Sequence, residues 1–419
     1  MTRNAINEKS NYIWNMIGSV SSSVISTVLL IFAARLLSPE SSDLFGIIYS
    51  LGQQLFVVGL FQVRDYQATD VREKFDFQVY LETRIVTILL MIGSTFIFAV
   101  VSHYTAEKTL IFLILVMSRA VDAFSDVFQG FFQQHERSDL AGKILFFRSI
   151  VIMISFYLIL LLTGSLLLAC LGIFGLNVLL TFLLDFRYMS RHFGHTITWR
   201  RRLQAKQIWS VLVTCFPLFF SGFLINYIFN EPKLVIDGLL SSGQLQTGLQ
   251  RDFNILFMPT FIMSLLLIIL RPLITDLSRV WLDKDYRQFY SSFGKLILIL
   301  LGFGLFVIVA GYLVGTEVLG LLYGVPLTQY KWEFVILLLG GIFNVLASVI
   351  GNMMTIFRKQ VNFMVVYIVT FIVSKMISTP LITKLGMLGA AYSFLIAMIV
   401  FLVLSISVFL LTKKLLNEG

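Results

Sequence analysis

The sequence carries little charge for its length. Only 13% of its 419 residues are Asp, Glu, Lys or Arg, whereas 58% are hydrophobic, and the mean hydropathy is +0.88. A soluble globular domain has about a quarter of charged residues. Apolar runs recur along the whole length, which excludes a soluble domain with a single anchor and predicts a polytopic membrane protein.

Cysteine is equally scarce. Cys170 and Cys215 both lie inside apolar runs, where a thiol usually acts as a small hydrophobic group, so they indicate nothing about the redox compartment. The sequence contains no Asn-x-Ser/Thr acceptor, which fits a bacterial protein. The polar N-terminus MTRNAINEKSN lacks a short apolar core with a cleavage site, so no removable signal peptide is expected.

Residues suited to metal or nucleotide chemistry are few. His192 and His195 are close in sequence, but no carboxylate or thiol ligands lie near them, so no metal site is predicted. The GFG segment at Gly302–Gly304 lies inside an apolar run and lacks the strand and helix that flank a nucleotide-binding loop. We therefore expect no cofactor, no metal ion, no catalytic residue and no enzymatic activity.

The apolar runs are long enough to cross a membrane. A helix needs about 20 residues to span roughly 30 Å of hydrocarbon, and on that scale the sequence predicts an all-α integral membrane protein with twelve transmembrane helices. Pro232 is expected to end the seventh span. The predicted spans are 12–36, 44–63, 78–102, 107–133, 140–163, 166–186, 208–230, 252–271, 290–315, 330–356, 361–383 and 387–412.

Basic residues are distributed unevenly between the loops. Most lysines and arginines, including Arg64 and Arg148, are assigned to the side that carries the N-terminus. Because the cytoplasmic side retains such residues, both termini are predicted to be cytoplasmic. The longest basic stretch, RYMSRHFGHTITWRRRLQAK, lies between spans six and seven. A nucleic-acid patch is one interpretation, but a linker touching anionic lipid is the better one, so no nucleic-acid partner is expected.

The chain reads as two similar halves. We predict an N-terminal half at 1–190, a basic cytoplasmic linker at 191–207 and a C-terminal half at 208–419. Both halves place an arginine, a Thr-Asp pair and a charged loop after an aromatic-aliphatic run. In transporters, such repeats flank a substrate path. The matched landmarks are Arg64 with Arg271, Asp70 with Asp276, Gly130 with Gly351 and Arg137 with Arg358.

Several motifs accompany this organisation: the Ser-rich first span GSVSSSVIST, the turns RDYQATD and LRPLITDL, and the junction DVFQGFFQQHERSDLAGK. In these features the chain resembles the polysaccharide flippases of the multidrug/oligosaccharidyl-lipid/polysaccharide exporter superfamily. The resemblance implies two pseudo-symmetric six-helix halves around a central cavity. It also implies translocation of an undecaprenyl-diphosphate-linked oligosaccharide across a bacterial plasma membrane by alternating access. The implied partners are that polyprenol diphosphate, membrane lipids and polysaccharide assembly machinery.

The fourth predicted span carries three charges in the stretch LVMSRAVDAFSDVFQG. At about 1.5 Å per residue, Arg119 lies roughly 15 Å deep, near the bilayer centre, and Asp122 and Asp126 share its helix face. A central arginine costs at least ~2.5–3.5 kcal/mol in lipid, so it should face protein or a watery cavity. Two roles remain open: an Arg119–Asp122 pair that holds helices in register, or a cationic site for the diphosphate that Asp122 adjusts.

Two further arginines are candidates for substrate binding in the cavity. Arg35 ends the first span; family resemblance favours a position in the cavity, and contact with outer headgroups is the alternative. Arg84 lies near the cytoplasmic start of the third span. It could face the cavity, or its long stem could let the charge reach the headgroups.

Three basic residues of the second half complete the candidate set. Lys233, in NEPKLVID, and Arg251, in LQRDFN, flank the predicted outer loop between spans seven and eight and could bind sugar or phosphate. Lys375 lies deep in span eleven, where Ser374 and Ser378 could solvate it instead. No residue indicates which ion, if any, couples transport.

Three functions are compatible with these observations. The first is a flippase for a lipid-linked oligosaccharide, and the second is an ion-coupled small-molecule or drug exporter of the same superfamily. Basic residues inside the spans favour an anionic head group over a cationic drug. The third is a polysaccharide polymerase or glycosyltransferase, which would need catalytic residues on a large outer loop. The largest predicted outer loop, from Glu231 to Asp252, is short for that purpose.

The predicted orientation can be tested by thiol labelling. Single cysteines at Ser41, Thr105 and Thr328 should react with a membrane-impermeant reagent in intact cells, because these positions are predicted to face outward. Cysteines at Ser138 and Thr198 should react only after permeabilisation. The inverted labelling pattern would disprove the orientation, and with it the direction of transport.

Overall fold

The computed structural model describes residues 3–70, 74–194, 204–264, 271–357 and 359–418. In these ranges the secondary structure is helical, without strands. Ten of the described helical segments are long and apolar enough to cross a membrane. The protein is therefore an all-α integral membrane protein, as the composition predicts.

The first compact unit comprises residues 1–223. A π-helical turn at Thr181–Phe186 joins α7 directly to α8. The helices of this unit are α1 (Arg3–Leu36), α2 (Pro39–Leu60), α3 (Val63–Thr69), α4 (Phe77–Val101), α5 (Ala106–Gln134), α6 (Ser138–Thr163), α7 (Leu166–Leu180), α8 (Arg187–Phe193) and the first part of α9 (Ala205–Ser241).

The second compact unit comprises residues 224–419. A π-helical turn at Gly311–Gly315 joins α12 to α13, and a short 3₁₀ turn at Thr328–Tyr330 precedes α14. The helices of this unit are the remainder of α9, α10 (Leu249–Ser264), α11 (Arg271–Leu282), α12 (Tyr286–Ala310), α13 (Thr316–Tyr323), α14 (Lys331–Ile356), α15 (Gln360–Leu385) and α16 (Met387–Glu418).

Each predicted span overlaps a described helix. The fourth, α5, is not among the ten apolar segments because it carries too many charged residues to qualify by composition. It nevertheless lies at the centre of the first unit, where it packs against α2, α3, α4, α6 and α7. The three inner charges of α5, Arg119, Asp122 and Asp126, are thus largely enclosed by protein, which is how a membrane helix tolerates them.

The prediction that Pro232 ends the seventh span is wrong. Helix α9 runs without interruption from Ala205 to Ser241, and the connection to α10 spans only residues 242–248. A proline removes one helical hydrogen bond, and neighbouring helices can offset that loss inside a membrane protein. Lys233 consequently lies within a helix, and the outer loop predicted from Glu231 to Asp252 is much shorter than expected.

The division into two units falls inside α9, between Phe223 and Leu224. The sequence-based boundaries at residues 190 and 208 stay a prediction. Most of the predicted linker, residues 195–203, lies outside the described residues, and so does Arg358 of the proposed repeat.

The segment RDYQATD, predicted as a turn, forms most of α3, and Asp70 is the C-cap residue that ties this helix to the start of α4. Its carboxylate accepts hydrogen bonds from the backbone N–H of Lys74 at 3.0 Å and from the hydroxyl of Tyr80 at 2.7 Å. Partial burial acts to raise the pKa of Asp70, but these donors outweigh it and lower the pKa below its ordinary value. These contacts of Asp70 should therefore hold at neutral pH and weaken as the pH falls through that lowered pKa. Asp276, the matched residue, instead pairs with Arg279 at 3.4 Å on an exposed surface.

Helices α1 and α6 pack closely because both have glycine at their contact. A Cβ atom added at Gly142 would overlap the backbone carbonyl of Trp14, and one at Gly18 would overlap the carbonyl of Gly142. Small residues at such positions allow membrane helices to approach closely. Gly93 on α4 has no atom within 4 Å of the corresponding position.

The Gly142→Ala variant should be less stable than the wild type. The overlap is with backbone, so α1 and α6 must separate, at a cost of about 1–3 kcal/mol. Gly93→Ala is the matched control and should gain up to ~1 kcal/mol from helix propensity. Thermal unfolding of the purified protein in detergent measures both changes. A midpoint for Gly142→Ala at or above that of Gly93→Ala would contradict this account of the α1–α6 contact.

A buried charge network as the candidate functional site

The predicted Arg119–Asp122 pair is present. The Nη1 atom of Arg119 lies 3.1 Å from Oδ2 of Asp122, one helical turn away on α5. The guanidinium also lies over two rings of α2, at 4.9 Å from the centroid of Tyr49 and 5.8 Å from that of Phe56. Carboxylate and aromatic faces both stabilise a cation that has left water.

Asp126, the third charge of the stretch, does not join Arg119. Its carboxylate is shared between Arg64 of α3, whose Nη1 lies 2.9 Å from Oδ1, and Arg84 of α4, whose Nη2 lies 2.8 Å from Oδ2. Arg64 also donates to the side-chain oxygen of Gln129 at 2.8 Å. Asp126 therefore connects three helices through charge-assisted hydrogen bonds.

Arg84 is fully buried, so the expectation that it could reach the headgroups is wrong. Its Nη1 donates to the carbonyl oxygens of Gly59 and Leu60, at 2.7 and 2.6 Å, at the C-terminal end of α2. The following residue, Phe61, has a left-handed backbone. Carbonyls at a helix C-terminus lack helical partners and carry partial negative charge. Arg84 therefore provides hydrogen-bond donors both to the last carbonyls of α2 and to the carboxylate of Asp126.

Arg148 of α6 and Asp185 of the π turn form a second buried pair. The Nη2 atom of Arg148 lies 2.7 Å from Oδ2 of Asp185 and donates to the hydroxyl of Thr181 at 2.9 Å. Ser125 of α5 donates to the same carboxylate at 2.9 Å. The Nη1 atom of Arg148 lies 3.6 Å from Asp122, which links this pair to Arg119.

The network has four arginines, Arg64, Arg84, Arg119 and Arg148, against three aspartates, Asp122, Asp126 and Asp185. One positive charge is therefore left over. An isolated charge at membrane depth is strongly unfavourable, but pairing and added hydrogen bonds offset most of the desolvation cost. The remaining positive charge makes the region favourable for an anion.

Part of this network lines a cavity inside the first unit. Arg64, Arg119 and Arg148 reach it, together with Asp122 and Asp126, and its volume is about 340 Å³. That size lies at the lower end of the range for small-ligand sites. The other polar residues of its lining are Ser19, Ser22, Ser118, Gln129, Ser149 and Asn177.

The structure brings some predicted site residues together and separates others. Arg119 and Asp122 line the cavity, and Arg84 lies behind its wall, held by Asp126. Arg35 is an exposed residue in the last turn of α1 and does not line this cavity.

The remaining three candidates lie in the second unit. The Nζ atom of Lys375 is 3.1 Å from Oε2 of the buried Glu231, and Arg251 pairs with the adjacent Asp252 at 2.8 Å. Lys233 lies over the ring of Phe257, at 4.8 Å from its centroid. A role for these residues in substrate binding stays a prediction.

Sequence reasoning missed Arg64, Arg148 and Asp185. Arg148 was assigned to the cytoplasmic side although it lies well inside the predicted fifth span, and it is buried in α6. Asp185 is an acid near the end of an apolar run, in LLDFRYM. An unexplained acid inside one span and an unexplained arginine inside another are the signal that could have paired them.

Comparison with known proteins supports the fold. No family profile matches this sequence. The capsular polysaccharide biosynthesis protein CapF of Staphylococcus aureus is 21% identical over 396 residues, which are 94% of this chain and 97% of that relative.

Comparison of this chain with solved structures gives clearer matches than comparison with known sequences. An inward-facing MATE family transporter of the MOP superfamily, the multidrug/oligosaccharidyl-lipid/polysaccharide exporters, is 12% identical with a TM-score of 0.68, over 94% of this chain and 96% of its own. The lipid II flippase MurJ, in an inward closed conformation, is 13% identical with a TM-score of 0.68, over 96% and 87%. The chain has the MOP superfamily fold. The predicted resemblance to this superfamily is therefore confirmed.

A third MOP superfamily transporter, from Pyrococcus furiosus, is 14% identical with a TM-score of 0.60, over 98% of this chain and 96% of that one. The binding pocket of that transporter has reverse polarity, which suggests a different function for it. The MOP fold thus occurs with pockets of different charge, so substrate class must be argued from the residues of each cavity.

The Asp185→Asn variant should be strongly destabilised. Neutralising this fully buried carboxylate leaves Arg148 with Asp122, at 3.6 Å, as its one carboxylate partner among the pairs described above. Removal of one partner of a buried pair costs about 3–5 kcal/mol. The control is Asp276→Asn, which breaks an exposed pair with Arg279 and should cost at most ~1 kcal/mol. Thermal unfolding in detergent compares the two. Equal midpoints would show that the Arg148–Asp185 pair does not stabilise the first unit.

Proposed function

We propose that the protein is a flippase that moves an undecaprenyl-diphosphate-linked oligosaccharide from the inner to the outer leaflet of a bacterial plasma membrane, for surface polysaccharide synthesis. The observation that carries the proposal is the cavity of the first unit, which three arginines and two aspartates line. A diphosphate in hydrocarbon is prohibitively unfavourable, so its passage needs a polar, cationic path. The similarity to CapF supports a role in polysaccharide synthesis.

The arginines of the cavity suit this substrate. A planar guanidinium can hold two phosphate oxygens at once, and Arg119 has a single carboxylate partner at 3.1 Å. A diphosphate can replace part of that pairing without exposing a bare charge to lipid. Alternating access of the two halves would then carry the head group across, with both termini in the cytoplasm.

An ion-coupled drug exporter of the same superfamily is the alternative. Its cationic substrates would meet the excess positive charge of the network, which disfavours them. A membrane polymerase or glycosyltransferase is the third possibility. The connection at residues 242–248 offers little room for catalytic groups, and the matched structures are those of transporters. We therefore propose that the protein is not an enzyme, with lipid-linked sugar, membrane lipids and polysaccharide assembly machinery as its partners.

Deletion of the gene should leave synthesis of the lipid-linked repeat unit intact, because a flippase makes and breaks no bonds. The unit should accumulate in the cytoplasmic leaflet while surface polysaccharide is lost. Purified protein in liposomes should move the lipid-linked sugar between leaflets. Extraction and mass spectrometry measure accumulation, and a leaflet-specific lectin or enzyme probe measures movement.

A charge-balanced variant tests whether the cavity carries this activity. Arg119→Ala combined with Asp122→Ala removes one positive and one negative group, so the protein should still reconstitute. The rate of lipid movement between leaflets should fall at least tenfold. The reason is that the phosphate loses a guanidinium that contributes about 1.4 kcal/mol or more to its binding. The control, Arg279→Ala with Asp276→Ala, removes an exposed pair, and this variant should move lipid normally.

Two results of the gene deletion would overturn the flippase proposal: intact surface polysaccharide, or precursor that accumulates on the outer leaflet.

A further inference from the structure

A second recess of the first unit is lined by apolar side chains, and we call it the apolar groove. It lies between residues 85–92 of α4, residues 117–124 of α5 and residues 178–186 of α7 and the π turn, and its volume is about 560 Å³. Thr181 supplies the one hydroxyl among its described lining residues. This hydroxyl is already engaged, since it donates to the backbone carbonyl of Asn177 and accepts from Arg148, both at 2.9 Å. The groove therefore offers aliphatic and aromatic surface to its occupant.

The apolar groove opens toward the hydrocarbon of the membrane. Ala120, at its floor, is 5% exposed, whereas Leu89 and Phe182, at its rim, are 63% and 62% exposed. The helical segments that carry these two rim residues are both long and apolar enough to cross a membrane. Arg119, the residue before Ala120, is expected near the bilayer centre from its distance along α5. At that depth water is absent, so the occupant of the groove must be a hydrocarbon chain.

The apolar groove shares a wall with the charged cavity. On α5, Arg119 lines the cavity and the adjacent Ala120 lines the groove. On α7, Asn177 lines the cavity and the adjacent Val178 lines the groove. These two helices pack against each other, so together they separate a polar recess from an apolar one at the same depth. An amphiphile with an anionic head and a long hydrocarbon tail has matching chemistry on the two sides of this wall.

The apolar groove is wide for a single unbranched chain. Its lining covers eight residues of α4 and eight of α5, so it is about 10 Å long at 1.5 Å per residue. Its volume of about 560 Å³ over that length gives a mean width of roughly 7 Å. A thin methylene chain would leave part of the wall without contacts, which forfeits dispersion energy. A methyl-branched polyprenyl chain is broader and fills the groove better.

We propose that the apolar groove binds a segment of the polyprenyl tail of the transported lipid while the diphosphate occupies the cavity, an inference that rests on the proposed function. The tail is much longer than the groove, so the groove holds one segment of it. The rest of the tail stays in the bilayer and passes around the wall of α5 and α7 to the head group. Contact with the groove keeps the lipid on the first unit by apolar burial, independently of the arginines.

Photolabelling of the wild-type protein tests the occupant. The protein is reconstituted in phosphatidylethanolamine liposomes with a polyprenyl phosphate that carries a diazirine on its tail, and labelled peptides are mapped by mass spectrometry. Label should concentrate on the groove-lining residues of α4, α5 and the π turn. A tenfold excess of undecaprenyl phosphate should reduce this labelling roughly tenfold, because the two lipids share one site. The same excess of phosphatidylglycerol should leave it nearly unchanged.

A matched pair of leucines on α4 tests the position. Leu89 lines the groove, whereas the adjacent Leu90, also exposed at 51%, does not. Leu89→Trp should reduce labelling at least about fivefold, because the indole takes up space that the chain needs. Leu90→Trp makes the same change on a surface outside the groove and should keep the wild-type labelling. Both side chains lie at the surface, and thermal unfolding in detergent checks that the two variants fold equally well.

Lipid movement is measured on the same liposomes, which separates the two proposals. If phosphatidylglycerol competes as well as undecaprenyl phosphate, the groove holds ordinary membrane lipid and the tail site is overturned. Equal labelling of Leu89→Trp and Leu90→Trp overturns it as well. In both cases wild-type movement of the lipid-linked sugar leaves the flippase proposal standing. If the wild type moves no lipid, the flippase proposal fails and the tail site fails with it. Movement together with labelling that only Leu89→Trp removes supports both.

Discussion

The first unit depends on a carboxylate shared between two arginines. Asp126 of α5 meets Arg64 at 2.9 Å and Arg84 at 2.8 Å. Arg84 is entirely buried and also holds the last carbonyls of α2. Without Asp126, a guanidinium would remain in the protein interior with only neutral partners, which is strongly unfavourable. This requirement fixes where α2, α3, α4 and α5 meet.

The same constraint explains why the most polar helix is the central one. Helix α5 packs against five others. Its inner polar side chains have partners on other helices or on its own next turn: Ser118, Arg119, Asp122, Ser125 and Asp126. Pairing leaves one positive charge in excess, and the cavity beside it is lined by arginine, aspartate and hydroxyl groups. A cavity whose positive and negative charges nearly cancel can exist empty within the membrane and still favour an anionic group.

Much of the fold was predictable because each membrane-crossing helix must be long and apolar, and both properties can be recognised in one continuous stretch of sequence. Each predicted span overlaps a described helix, and the Arg119–Asp122 pair follows from a spacing of three residues on one helix. The partners of Asp126 and Asp185 were not predictable, since Arg64, Arg84 and Arg148 come from three other helices. Burial of Arg84 was missed for the same reason: its partners are backbone carbonyls of α2, which no pattern in the sequence indicates.

The sequence by itself determined the class of the protein and the number of apolar spans to expect, because hydrocarbon imposes length and apolarity on every crossing helix. It also determined that α5 must be enclosed, since its charges cannot face lipid. Only the tertiary structure decided which charges meet and which of them line the cavity. Those outcomes depend on how each helix is rotated and packed against the others, and that information is spread over residues far apart in the chain.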